Sequence, residues 1–204
     1  LCQIDVDTGL WNQAHFNLRF QGHLSSFLRY QRSSCLLLLE VDVTAKDAAV
    51  VPWLEINRLI AQVMRGLCRD CDVLSHWQKG RFALILPETY ESGALLLAER
   101  LRAEVVLGVG EHQPDSRVLP SIAVLSTDVL TDRQWVTLSH CQQAAEKVLQ
   151  RLFLNGGNAV AAVKREELLQ VGEALSNSTQ DQVTSEQQQQ QDVCRLSDFH
   201  EIMP

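Results

Sequence analysis

Apolar residues recur at helical spacing at Phe16, Phe20, Leu24, Phe27 and Leu28, just after a turn signal at Asp7-Thr8-Gly9. Asp7 or Thr8 is placed to accept from the free amides at that helix start. From Cys35 to Val43 the chain is a continuous apolar run interrupted only near its end, by Glu40 and Asp42. Such a run reads as a strand buried on both faces. Trp53, Ile56, Ile60, Val63, Met64 and Leu67 mark the apolar side of a second helix. Short strands over 72–77 and 82–86 flank Gln78-Lys79-Gly80-Arg81, where Gly80 predicts a hairpin turn. Pro87-Glu88-Thr89 ends the second of these and caps a Leu- and Ala-rich helix over 90–106, with a loop from Gly108 to Pro114. A strand over 121–125, a helix over 134–154 and a strand over 158–163 complete the pattern, the last after a Gly156-Gly157 turn. The order αβαββαβαβ predicts an α/β (α+β) sandwich of the ferredoxin-like kind, a mixed sheet flanked by helices.

The character changes after Arg165. Residues 166–204 form an acidic, Gln-rich tail with five consecutive glutamines at 187–191, too poor in apolar side chains to offset the entropy of ordering. The expected division is therefore a folded domain over 1–165 and a largely disordered tail over 166–204. Glu166–Leu175 could continue as a helix off the last strand, and the apolar end from Val193 reads as a frayed terminus. Of the 204 residues, 18 are basic and 25 acidic, a formal net charge of -7. Residues 165–204 hold eight acids against two arginines, which leaves 1–164 at -1. That balance lacks the basic footprint of a nucleic-acid-polymer binder. No apolar run reaches the roughly 18 residues of a membrane span. The six cysteines are scattered through a chain large enough to fold without staples, which fits a reducing, cytoplasmic setting. The chain opens on Leu1 and is read as a portion of something longer.

Several short motifs, weak singly, stand in one order at compatible spacing. Asp5-Val-Asp-Thr8-Gly9-Leu10-Trp-Asn12-Gln13 is followed by Phe16; Glu40-Val41-Asp42 follows Leu36–Leu39; Phe82-Ala-Leu-Ile-Leu-Pro87 leads to Ala94, Ala98-Glu99-Arg100-Leu101-Arg102; then come Ser121-Ile122-Ala123-Val124 and Gly156-Gly157-Asn158. In this the chain resembles the GGDEF domain of diguanylate cyclases, from Asp5 to about Val163. The resemblance implies a nucleotidyl-cyclase-type sandwich and a place in bacterial signalling, with biofilm polysaccharide or motility as outputs of the family.

The signature itself departs from the family. The hairpin reads Gln78-Lys79-Gly80-Arg81-Phe82, and only the structural Phe survives. The family's glycines let nucleotide approach the backbone, which side chains obstruct. Its first acid, a Mg²⁺ ligand, is Gly80 here, and its second is Arg81. Phosphoryl transfer between two GTP molecules needs cations held where charge develops. The family's guanine-contacting Asn falls near Ala48, its Asp near Asn57, and a phosphate-binding Lys on Phe153, with Lys46 about one position from the other. Glu40 and Asp42 remain as a vestigial metal strand. The resemblance thus implies a degenerate cyclase, no enzyme, with no catalytic residue and no metal.

One constellation is retained. The family's inhibitory site for its product is an Arg-x-x-Asp ahead of the signature, here Arg69-Asp70-Cys71-Asp72, with Asp72 six residues before Gln78. Its second arginine falls on Arg100. Guanidinium forks suit phosphate and the guanine Hoogsteen edge, and a carboxylate accepts from guanine N–H groups. The implied function is a regulatory module that binds cyclic di-GMP through Arg69, Asp72 and Arg100, with no cofactor, acting on an unknown protein partner and able to form a homodimer. The alternatives are a nucleotide-free structural or dimerisation module and, more weakly, a GTP-binding regulator using Lys79 and Arg81. Cys68 and Cys71 overlap the motif but lack a second pair for zinc, His76 reads as a strand residue, and the four tryptophans read as packing.

Overall fold

The computed structural model describes residues 3–45, 51–130 and 137–171. Along the chain run α1 (Gln13–Tyr30), β1 (Ser34–Ala45), α2 (Trp53–Leu67), β2 (Val73–Gln78), β3 (Arg81–Pro87), α3 (Glu91–His112), β4 (Ser116–Ser126), α4 (Leu138–Leu154) and β5 (Val160–Ala162). The expected order of elements is the observed one. The five strands form one sheet in the order β2-β3-β1-β4-β5. β1 is antiparallel to both β3 and β4, β2 is antiparallel to β3, and β5 runs parallel to β4.

The continuous apolar run of β1 is explained by its central place. Leu37, Leu39 and Val41 face one core with Ile56, Ile60 and Met64 of α2 and Ala98, Leu101 and Val105 of α3. Leu36 and Leu38 face the other, with Phe16 and Phe20 of α1 and Ala144, Ala145 and Val148 of α4. Leu36 to Leu39 have no exposed surface at all. Truncating a leucine at such a site costs about 2–5 kcal/mol.

Several boundaries differ from expectation. α3 continues through Gly108 and Gly110 to His112, where a loop was expected. Burial of Val105 and Val109 outweighs the roughly 1 kcal/mol that a helical glycine costs, and Gly108 lies close against Val63 of α2. β4 spans eleven residues instead of five because it pairs with β1 from Ala45↔Ser116 to Cys35↔Ser126. Pro120 fits inside it. The β4–β5 pairing begins only at Ile122, so the missing N–H falls where no strand follows.

The cap of α1 is Asn12, whose side chain accepts from His15 N–H at 2.9 Å, not Asp7 or Thr8. The preceding turn is closed by Asp5, whose Oδ1 accepts from the Thr8 amide at 2.9 Å and hydroxyl at 2.7 Å. Thr89 does not cap α3 either. Tyr90 holds that position without a side-chain bond, and Thr89 donates to the Pro87 carbonyl. Residues 165–171 are helical, and Leu168 and Val171 are buried in the α1–α4 core. The folded body therefore passes the boundary expected at 165. The glutamine run, the C-terminal end and the expected start of α4 at Gln134 lie outside the described residues, as do Lys46 and Ala48.

His76 of β2 is buried, and its Nδ1 lies 3.0 Å from Asp5 Oδ1. Burial pushes the Asp5 carboxyl upward, but the Thr8 bonds and His76 outweigh it, so its pKa lies below the ordinary 3.8. A depressed carboxyl contributes stability above its unfolded value and loses it as pH falls through the folded one. Asp5→Asn is expected to cost about 1 kcal/mol at pH 7. Melting curves of the variant and parent should differ at neutral pH and converge below 3.8.

Candidate functional site

Two places in the fold hold the residues singled out by the sequence. The first is the β2–β3 hairpin. Gly80 has φ +70, and a Cβ there would stand 2.6 Å from the Val41 carbonyl and 2.8 Å from the Trp53 ring. Only glycine fits this close approach. The Gly80 carbonyl accepts from Val41 N–H at 2.8 Å, and its amide donates to Asn57 Oδ1 at 3.2 Å. Asn57 is buried and spends its side-chain oxygen on the hairpin. Phe82 is fully buried in the α2–α3 core, its ring 4.9 Å from that of His76.

Arg81, next to Phe82, points to the opposite face. It is the cross-strand partner of Glu40, and its Nη2 lies 2.8 Å from Glu40 Oε2. Its Nη1 is 3.5 Å from Glu146 on α4. A fixed guanidinium thus bridges the hairpin, β1 and α4. Lys79 lies over the Trp53 ring at 4.8 Å from its centroid, a cation–π arrangement. Asp42 is half-buried and makes no ion pair among the described residues. It lines a cleft of about 220 Å³ with Lys79, Trp53, Ser121 and Phe153.

The donors here do not fit a pair of divalent ions. Gly80 offers no ligand, Glu40 is already paired with Arg81, and no group of three metal-ligating side chains exists among the described residues. Hard cations take several oxygen ligands. Phe153, 57% exposed, lines this cleft and a second one beside the hairpin, and presents an uncharged ring to both. Asn57 is placed here by the resemblance, though not as the acceptor for the Gly80 amide, and Glu146 has no such signal. Glu146 lies far along the chain, within a helix whose spacing announces only burial.

The second place is the turn between α2 and β2. Asp72 N–H donates to the Arg69 carbonyl at 3.0 Å, and Asp72 Oδ2 accepts from Arg69 N–H at 2.8 Å. The motif is thus a closed turn. Its Arg69 guanidinium is exposed and forms no ion pair among the described residues. Both residues line an open cleft of about 390 Å³. Burial raises the Asp72 carboxyl above 3.8, partly offset by the Arg69 amide and guanidinium. Burial, and then the charge of Asp72, push the Cys68 thiol up to about 12, which makes it unreactive.

Arg100 is exposed on α3 and is not among the residues lining this cleft. Topology sets its relation to the turn. β1 and β2 are parallel, as are β3 and β4, so the crossover helices α2 and α3 run antiparallel. With Gly108 against Val63, Arg100 lies toward the end of α2 that carries Arg69. The structure brings Arg69 and Asp72 together and leaves Arg100 on the neighbouring helix.

No family model matches the sequence, and no curated protein does. Solved structures do match. The diguanylate cyclase SiaD of Pseudomonas aeruginosa, in complex with its activator SiaC, is 22% identical with a TM-score of 0.62, over 78% of this chain and 61% of that one. This chain therefore spans under two thirds of SiaD. The active GGEEF domain of a Vibrio cholerae diguanylate cyclase is 15% identical with a TM-score of 0.62, over 75% of this chain and 97% of that one. The GGDEF domain of DgcB from Caulobacter crescentus, in complex with c-di-GMP, is 17% identical with a TM-score of 0.59, over 79% and 93%. The five-stranded mixed sheet between two helical layers has the fold of the GGDEF domains of diguanylate cyclases.

Proposed function

We propose that this domain is a noncatalytic receptor for cyclic di-GMP, taking the ligand at Arg69, Asp72 and Arg100 and passing its occupancy to a protein partner or a second copy. The observation that carries the reading is a contrast between the two places. At the hairpin the cation is consumed internally, with Arg81 held by Glu40 and Glu146. At the α2–β2 turn the Arg69 guanidinium is unspent and faces an open cleft beside a preformed carboxylate. A free guanidinium fork binds phosphate oxygens bidentately, and a carboxylate fixed by a backbone N–H keeps lone pairs for a guanine edge.

The same contrast argues against GTP at the hairpin. Lys79 is committed to Trp53, Arg81 to two carboxylates, and Phe153 offers no charge. A cytoplasmic setting agrees with the four described cysteines, which are free. Among the described residues no helix is long and apolar enough to cross a membrane.

Ligand that binds the folded state selectively must raise the melting temperature. Excess cyclic di-GMP is expected to stabilise the parent and Arg81→Ala alike. Arg69→Ala should lose about tenfold in affinity, since a charged bidentate contact contributes about 1.5–3 kcal/mol. A shift that survives in Arg69→Ala and vanishes in Arg81→Ala would move the site to the hairpin. The absence of any shift would leave a structural or dimerisation module.

A further inference from the structure

The cleft that holds Arg69 and Asp72 has the α2–β2 turn as one wall. Its other wall is the N-terminal turn, with Ile4, Gly9 and Trp11, and its lining includes Arg65 from the last turn of α2. We infer that Arg65 supplies a further guanidinium to the same site and that the cyclic dinucleotide lies across the N-terminal turn. This rests on the receptor reading above.

The first argument is preorganisation. Arg65 Nη2 donates to the Thr8 carbonyl at 2.8 Å, and a Cβ on Gly9 would come within 3.1 Å of the same nitrogen. The turn holds one edge of the guanidinium. Its other N–H groups have no partner among the described residues and stand at the cleft. A long side chain already ordered in the free protein loses less rotamer freedom when a ligand arrives. The turn is itself tied down, since Arg58 Nε donates to the Asp7 carbonyl at 3.0 Å and Asp5 closes it internally.

The second argument is charge. The cleft contains Asp70 and Asp72. Among the lining residues Arg69 alone would leave a net negative charge toward a ligand bearing two phosphodiesters, and Arg65 brings the lining to neutrality. With Arg100 approaching from the neighbouring helix the site as a whole then carries net positive charge, while Asp72 keeps its role toward a base. The apolar part of the wall, Leu10, Trp11 and Leu74, suits the flat face of a purine. Nothing in the Arg-x-x-Asp spacing points to Arg65, which lies outside the motif and is placed there by the docking of the first turn.

The wild-type chain can be tested first, by arginine footprinting with phenylglyoxal read by mass spectrometry, with and without cyclic di-GMP. Ligand is expected to slow modification of Arg65 as it slows that of Arg69, and to leave the exposed Arg32 unchanged. Calorimetry on Arg65→Gln, after a ligand-free melt shows it folded, should find affinity reduced about tenfold, with Arg65→Lys between the two. Protection of Arg69 without Arg65, or a folded Arg65→Gln of parental affinity, overturns this inference while the receptor reading stands. Binding to neither arginine overturns the receptor reading itself.

Discussion

Rebuilding the acidic hairpin with Gly80→Asp and Arg81→Glu together is expected to yield a markedly less stable protein that still forms no cyclic di-GMP from GTP and Mg²⁺. The stability loss has two sources. At φ +70 a side chain with a Cβ is strained by about 1–3 kcal/mol, and here that Cβ would also overlap the Val41 carbonyl and the Trp53 ring. The second change removes the cation between Glu40 and Glu146 and sets a third carboxylate beside them. The original pair is partly exposed, 24% at Arg81 and 44% at Glu40, so its loss alone contributes only about 1 kcal/mol. Together the changes should cost about 3–5 kcal/mol, visible as a lower denaturation midpoint. Activity should not appear because Lys79 still covers Trp53 and Phe153 still offers no charge. Chromatographic detection of product above the no-protein control, from this variant or from the parent, would contradict the noncatalytic reading.

Asp72→Ala is expected to weaken cyclic di-GMP binding more than any single arginine change, by about a hundredfold. Two contributions are removed at once. The carboxylate loses its contact to the ligand, and the Arg69–Asp72 turn loses the bond from Arg69 N–H to Oδ2 that presents both side chains. Hydrogen bonds to charged groups contribute about 1.5–3 kcal/mol each, and about 1.4 kcal/mol is a factor of ten. The fold should survive, because Asp72 also anchors the turn through its backbone bond to Arg69. Equilibrium dialysis at a fixed ligand concentration checks the prediction. Binding within a factor of two of the parent would remove Asp72 from the site.

How much of this was legible beforehand depended on whether local pattern or distant packing decided the outcome. The run from Cys35 to Val43 announced a strand buried on both faces because both helical layers pack on it. The hairpin was legible from Gly80, whose positive φ is enforced by Val41 and Trp53. Helix ends were not. Gly108 and Gly110 suggest a stop, yet burial of Val105 and Val109 carries α3 to His112. The N-terminal turn signal marks a real turn, but its residues do not cap the helix. Asp5 and Thr8 close a turn that docks on α2 through Arg58 and Arg65, while Asn12 caps the helix.

The candidate sites divide in the same way. Arg81 and Glu40 were visible because each lies next to a motif position, and strand register makes them opposite partners. Glu146 completes that bridge from α4 and has no sequence signal, since nothing in a helical repeat marks which exposed acid will meet a distant hairpin. Arg69 and Asp72 were legible from spacing. Arg65 was not, because its place in the cleft comes from the three-dimensional docking of Thr8 and Gly9.

The central claim is that a domain with the cyclase fold keeps a binding site for the cyclase product while its hairpin is closed to substrate. Calorimetric titration of the whole chain with cyclic di-GMP and, separately, with GTP in Mg²⁺ tests it most directly. Saturable heat with cyclic di-GMP, greatly reduced in Arg69→Ala, and none with GTP is the expected result. No heat with cyclic di-GMP at high micromolar concentration, or saturable binding of GTP that depends on Arg81, would contradict it.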